Sequence, residues 1–94
     1  MNTLSQVEKI SQKYDVSPEE FIRSGIIMNL EEKKRLLQVE RFGILSRYQA
    51  SNTEELNQKI REGSAPEHPG WEDLIEIKNI EDTIKEIDSD IRLL

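Results

Sequence analysis

Residues 18–48 read PEEFIRSGIIMNLEEKKRLLQVERFGILSRY. The stretch opens with helix-start chemistry, because Ser17 can cap a helix, Pro18 suits its first position and Glu20 lies three residues after the cap. Apolar residues then recur at helical spacing along one side, and this series is Ile22, Ile26, Leu30, Leu37, Ile44 and Tyr48. The spacing predicts one long central helix over residues 18–48.

The same helix carries a second apolar series on a different side, which is Phe21, Met28, Val39 and Phe42. At about 1.5 Å per residue the helix spans about 45 Å, whereas a compact domain of this length is only about 32 Å across. Either the helix breaks near Asn29, or a second copy of the chain covers the overhang. We favour the second copy and predict a homodimer with an interface formed by Ile26, Leu30, Leu37, Phe42, Ile44 and Leu45.

Three shorter segments complete an all-α fold of four helices, arranged as a helical hairpin or bundle. Helical spacing and capping residues predict them at about residues 3–14, 52–62 and 70–93. Gly63 ends the third, and a linker at residues 64–69 contains Pro66 and Pro69. The chain is predicted to be one domain over residues 1–94, with N-terminal helices in 1–63 and an acidic C-terminal helix in 70–94.

The charge of the chain is unevenly distributed. Residues 1–49 carry 8 basic and 7 acidic side chains, whereas residues 50–94 carry 5 and 12, which gives +1 and −7. An acidic half disfavours nucleic acid or an anionic membrane as its partner and favours a basic protein surface. The sequence has no cysteine and no apolar run of membrane-spanning length, so we expect a cytoplasmic protein.

The C-terminal helix has the most regular pattern of the chain, with apolar residues spaced 3, 4, 3, 4 and 3 apart. We call this series the isoleucine seam: Ile77, Ile80, Ile84, Ile87, Ile91 and Leu94. Four of its five flanking residues are acidic, namely Glu76, Glu81, Asp88 and Asp90. Two copies joined along this seam would set like charges together, so the seam should face either its own long helix or a basic foreign protein.

Catalytic and cofactor signatures are weak in this sequence. The single histidine, His68, lies in the proline-bound linker, and we expect no enzymatic role, no metal site and no cofactor. Trp71 follows a Pro-Gly turn and either anchors the linker on the helical core or contributes to an interface. The residues predicted to bind a foreign partner are Trp71, Ile77, Ile80, Glu81, Ile84, Ile87, Asp88, Asp90 and Ile91.

Residues 7–22 resemble the helix-turn-helix of DNA-binding repressors, with residues 15–17 in the turn and Pro18 opening the second helix. The resemblance implies that the second helix would meet bases and phosphates. Glu19 and Glu20 occupy its first turn, however, where acidic side chains oppose DNA, and only Arg23 is suitably basic.

Residues 17–23, which lead into a long helix, and the acidic last helix together resemble small helical antitoxins of toxin–antitoxin pairs. That resemblance implies an N-terminal part that dimerises and a C-terminal part that wraps a basic nuclease toxin. Ribbon-helix-helix antitoxins have an N-terminal strand, whereas residues 4–14 are patterned here as helix. We therefore predict a non-enzymatic protein-interaction module, with three forms open: an antitoxin-like binder, a self-assembling structural or adaptor bundle, and a DNA-binding regulator.

Overall fold

The computed structural model describes residues 2–94, and within that range the chain forms four α-helices and no β-strand. The helices are α1 (Thr3–Lys13), α2 (Pro18–Ser46), α3 (Thr53–Glu62) and α4 (Glu67–Arg92). The all-α prediction is confirmed, and the observed boundaries lie close to the predicted ones. No helix among the described residues combines the length and the hydropathy needed to cross a membrane.

Short polar side chains fix the starts of the first three helices. Asn2, Ser17 and Asn52 each accept a hydrogen bond from the backbone N–H three residues later, at 2.8, 3.1 and 2.8 Å. The turns that follow α1 and α3 depend on left-handed residues, because Asp15 has φ 58° and Gly63 has φ 83°. Local sequence therefore sets where these helices begin and end.

The long helix α2 is continuous over 29 residues, so the alternative of a break near Asn29 is wrong. α4 runs antiparallel to it. Lys34 Nζ lies 2.8 Å from Asp88 Oδ1, and Arg41 Nε lies 2.8 Å from Glu81 Oε2. Between these two contacts the residue number rises by seven along α2 and falls by seven along α4. This spacing is expected for two antiparallel helices packed side by side.

The first turn of α4 is irregular. His68 and Pro69 have non-helical backbone angles, and the peptide bond between them is cis. The regular helix therefore begins at Gly70, as predicted. Gly70 is buried against Ile60 of α3, and a Cβ atom at this position would lie 3.1 Å from the Ile60 Cγ1. A larger residue would require the Ile60 side chain to shift.

The hydrophobic core lies at the end of the molecule where α2, α3 and α4 meet. Its buried residues are Ile44, Leu45, Leu56, Ile60, Ala65, Leu74, Ile77 and Ile80. The described chain measures 60 × 21 × 19 Å and has a radius of gyration of 19.6 Å, against about 12 Å for a compact domain of this length. The molecule is thus a rod about two helices thick, with α1 packed on α2 at the end opposite to α3.

Candidate functional site

The isoleucine seam of α4 faces the protein's own helices. Ile77 is fully buried, Ile80 and Ile87 are buried, and Ile84 packs half-buried against the core. Of the two alternatives for the seam, packing on the same chain is the one observed. The predicted partner-binding isoleucines are therefore not a free surface, because an apolar stripe of α2 with matching spacing already covers them.

Two of the acidic residues beside the seam are neutralised within the chain. Glu81 Oε2 lies 2.8 Å from Arg41 Nε and also accepts a hydrogen bond from Thr53 Oγ1 at 2.9 Å. Asp88 pairs with Lys34, and this hydrogen bond raises the pKa of the Lys34 ammonium group. Glu81 and Asp88 thus hold α4 on α2 instead of facing a basic foreign protein.

The other predicted partner-binding residues have different environments. Trp71 is half-buried and packs against the core, so it anchors the start of α4. Ile91 is half-buried, whereas Asp90 is exposed to solvent. Ile91 continues the isoleucine seam beyond the buried Ile87, and only Asp90 of these three is open to solvent.

The six residues predicted for a dimer interface fall into a buried group and a more exposed group. Ile44 and Leu45 belong to the core of the chain and are each 3% exposed, so they offer little surface to a second copy. At that end of the molecule the apolar stripe of α2 packs against both α3 and α4. The other four are half-buried or exposed along α2, and these are Leu30, Leu37, Ile26 and Phe42.

The side of α2 that points away from α4 carries large exposed apolar side chains. Met28 is 71% exposed, Val39 57% and Phe42 72%. They belong to a series with alternating spacings of four and three residues, which places all its members on one side of a helix. We call this series the outer face: Phe21, Gly25, Met28, Glu32, Arg35, Val39, Phe42 and Ser46.

The middle of the outer face is charged. Arg35 donates from Nε to Glu32 Oε2 at 2.9 Å and from Nη2 to Glu32 Oε1 at 2.7 Å. The two-bond geometry lowers the pKa of Glu32 and raises that of Arg35. Both side chains are more than half exposed, so the pair is available to further charged groups.

The α1 end of the outer face is shaped by a small residue and an apolar notch. A Cβ atom placed on Gly25 would find open space around it among the described residues. One helical turn earlier, Phe21 lines a notch of about 110 Å³ together with Val7 and Ile10 of α1. An aromatic side chain arriving over Gly25 would therefore meet apolar surroundings.

A polar network closes the opposite end of the molecule. The Tyr48 hydroxyl donates to the buried Asp73 carboxylate, and Arg47 Nη1 lies 3.6 Å from the same carboxylate. Burial, followed by the hydrogen bond to Asp73, raises the pKa of Tyr48 to about 12. Lys59 Nζ donates to the backbone oxygens of Tyr48 and Gln49 at 3.1 and 3.3 Å. The network joins α2, α3 and α4.

His68 has one polar neighbour of note. Its Nδ1 lies 2.9 Å from Glu72 Oε1, and its side chain is 78% exposed. This hydrogen bond lowers the pKa of Glu72. Within residues 2–94 no group of three or more histidine and carboxylate side chains is placed to hold a metal ion.

The basic residue in the helix-turn-helix resemblance is engaged within the chain. Arg23 bonds Glu20 through Nε at 3.2 Å and donates from Nη1 to the backbone oxygen of Leu94 at 2.8 Å. Arg23 thus joins the start of α2 to the end of α4. In this arrangement its guanidinium group is occupied by contacts within the chain.

Comparison with known sequences places the chain in a family. One family model matches residues 1–94. The chain belongs to the Uncharacterized protein MJ0235 family. No curated protein and no solved structure matches it.

Sequence reasoning on this MJ0235 family member recognised the second apolar series of α2 but assigned only Phe42 from it to the predicted interface. Gly25, Glu32 and Arg35 were not recognised as part of that series. The available signal was the seven-residue repeat, because the spacing of Phe21, Met28 and Phe42 continues through Arg35. A charged residue within an apolar series conceals the repeat when only apolar positions are counted.

Proposed function

We infer that this chain is a non-enzymatic protein-interaction module that acts as a self-assembling helical adaptor. The supporting observation is the outer face of α2, where Met28 and Phe42 are both more than 70% exposed. Large apolar side chains exposed together on one side of a helix favour an interaction site, since contact of such side chains with water is unfavourable. Along the middle of α2 the chain is only two helices thick, and there the side of α2 opposite to α4 is open to a second copy.

We favour self-association over the alternative in which α4 binds a basic foreign protein. The isoleucine seam would have to leave α2 before a foreign protein could bind it, and that step exposes Ile77 and Ile80. Glu81 and Asp88 would also lose Arg41 and Lys34. The outer face requires no such rearrangement.

The first experiment measures the mass of the particle in solution. Sedimentation equilibrium of the full chain at micromolar concentration is expected to give twice the 11.0 kDa chain mass. Phe42→Asp buries a carboxylate in the interface and is expected to weaken association at least tenfold, since an unpaired charge in an apolar contact is costly. A monomer at all concentrations up to 100-fold higher would refute self-association.

Ile75→Asp is the matched control for Phe42→Asp. Ile75 is 60% exposed on the side of α4 that faces away from the core, and its replacement makes the same change in charge and also removes a large apolar side chain. We expect this variant to remain associated. Equal loss of association in both variants would mean that added charge, and not the outer face, controls assembly.

A further inference from the structure

The outer face of α2 is complementary to a reversed copy of itself. We propose that two copies pair antiparallel along this face, about a two-fold axis passing midway between Lys33 and Lys34, which specifies the self-association proposed above and depends on it. In an antiparallel helix pair, the two core positions of the seven-residue repeat face each other across the interface. Outer-face residues at equal distances from the midpoint therefore meet in layers.

The apolar layers of this pairing match large residues with small ones. Gly25 faces the partner subunit's Phe42, and Met28 faces the partner subunit's Val39. The missing side chain at Gly25 leaves a hole for the phenyl ring, and the open space around Gly25 among the described residues shows that this hole is unfilled within one chain. Each layer occurs twice because the axis is two-fold. Side chains that fill each other's spaces give the close packing that a stable interface needs.

The layers beside the axis match opposite charges. Glu32 faces the partner subunit's Arg35, and Arg35 faces the partner subunit's Glu32. Within one chain these two side chains already form a two-bond ion pair that is more than half exposed. The dimer brings two such pairs together in a four-membered cluster of alternating charge. Complementary charge of this kind selects the orientation of the partner.

The parallel orientation of the same two helices is disfavoured by the same residues. It would set Glu32 against the partner subunit's Glu32 and Arg35 against the partner subunit's Arg35. It would also leave two glycines facing each other at Gly25, which creates a void. Like charges and voids both weaken an interface, so the sequence discriminates between the two orientations.

The flanks of the outer face accept a second copy, in contrast to the flanks of the isoleucine seam. The positions on either side are Ile22, Ser24, Asn29, Glu31, Leu36, Gln38, Gly43 and Leu45, of which only Glu31 is charged. In the antiparallel pair Glu31 lies beside the partner subunit's Gln38. Leu36 and Ile22 extend the apolar contact on one flank. No like-charge pair arises along these flanks, and this favours a second copy of the chain as the occupant.

Single cysteines introduced into the full chain test the orientation directly. The sequence has no cysteine, so Met28→Cys and Val39→Cys each provide one unique thiol at an exposed position. In the antiparallel pair, residue 28 and its own equivalent are 11 residues apart along the helix, or about 16 Å. A disulfide requires Cα atoms within about 7 Å. Each variant alone is therefore expected to stay uncrosslinked, whereas an oxidised mixture of both forms a mixed disulfide.

The outcomes separate this inference from the proposal on which it depends. A mixed disulfide at least tenfold more abundant than either homodimeric product, identified by mass spectrometry, supports the antiparallel pair. Homodimeric disulfides in each variant alone would establish a parallel pair. Association without any disulfide would place the interface elsewhere. Either of these last two results would refute the antiparallel pairing along the outer face without refuting self-association. A monomeric wild-type chain in sedimentation overturns both.

Discussion

Tyr48 links the helices at the end of the molecule where α2, α3 and α4 meet. The Tyr48 hydroxyl donates a hydrogen bond to Asp73 of α4, and Lys59 of α3 donates one to the backbone oxygen of Tyr48. Burial and the Asp73 hydrogen bond both favour the neutral phenol, and they raise the pKa of Tyr48 to about 12. The folded chain is therefore expected to be more stable when the Tyr48 hydroxyl is protonated than when it is ionised.

The free energy of unfolding should fall at alkaline pH for this reason. Tyrosine in the unfolded chain has a pKa of about 10, so the contribution is complete below pH 10 and is lost as pH rises through about 12. Tyr48→Phe should cost about 2 kcal/mol at pH 7, since a hydrogen bond to a charged group is removed. Urea unfolding at pH 7 and across pH 10–12 measures both effects.

Tyr14→Phe is the control for Tyr48, because Tyr14 is exposed and the chain has only these two tyrosines. The control should leave stability unchanged. It also makes Tyr48 the sole phenol for an ultraviolet titration, which should show a midpoint near 12. A midpoint near 10 would contradict the buried hydrogen bond.

At the scale of elements, α4 is a structural helix of this chain. It supplies Leu74, Ile77 and Ile80 to the core and pairs its acidic residues with Lys34 and Arg41. A two-helix rod has few alternative contacts to compensate for a lost one. Removal of buried atoms from α4 should therefore destabilise the free chain.

Ile77→Ala should lower the free energy of unfolding by about 2–5 kcal/mol, because it leaves a cavity at a fully buried position. Ile75→Ala, two residues away on the exposed side, should change it by less than about 0.5 kcal/mol. Thermal or urea unfolding of the two variants measures the difference. Equal small effects would restore the alternative in which the isoleucine seam is reserved for a foreign protein.

At the scale of the whole molecule, the proposed dimer turns a thin rod into a four-layered structure. The two α2 helices would lie in the middle, each covered by its own α4 on the other side. The outer-face charges would then act across the interface as well as within one chain. A change of one charge should weaken the dimer, and exchange of both charges should restore it.

Glu32→Arg should raise the dissociation constant of the dimer about tenfold or more, because arginines then face each other across the interface. The double variant Glu32→Arg with Arg35→Glu should return to within a few-fold of the wild-type value. Sedimentation equilibrium of both variants provides the measurement. Failure of the double variant to recover would argue against the antiparallel arrangement.

Glu20→Arg provides the matched control for this charge exchange. Glu20 also pairs with an arginine three residues later, Arg23, but the pair lies outside the outer face. The same change in net charge at this position should leave the dissociation constant unchanged. A comparable loss of association would point to overall charge as the cause.

The sequence by itself determined the helices of this protein. Period, capping residues and turn residues are local properties, so Ser17, Pro18 and Gly63 define boundaries without knowledge of the remote chain. The two apolar sides of α2 were also readable, since both follow from residue spacing alone. The regular start of α4 at Gly70 follows in the same way from the preceding prolines.

Only the tertiary structure decided which apolar surfaces are joined within one chain. Both sides of α2 have spacing that fits the isoleucine seam, so periodicity cannot select between them. The selection depends on pairs distant in sequence, Lys34 with Asp88 and Arg41 with Glu81, which match only when the helices are antiparallel in one register. That register buries Ile44 and Leu45 and leaves the outer face exposed, because a helix with two apolar sides can give only one of them to a single partner helix.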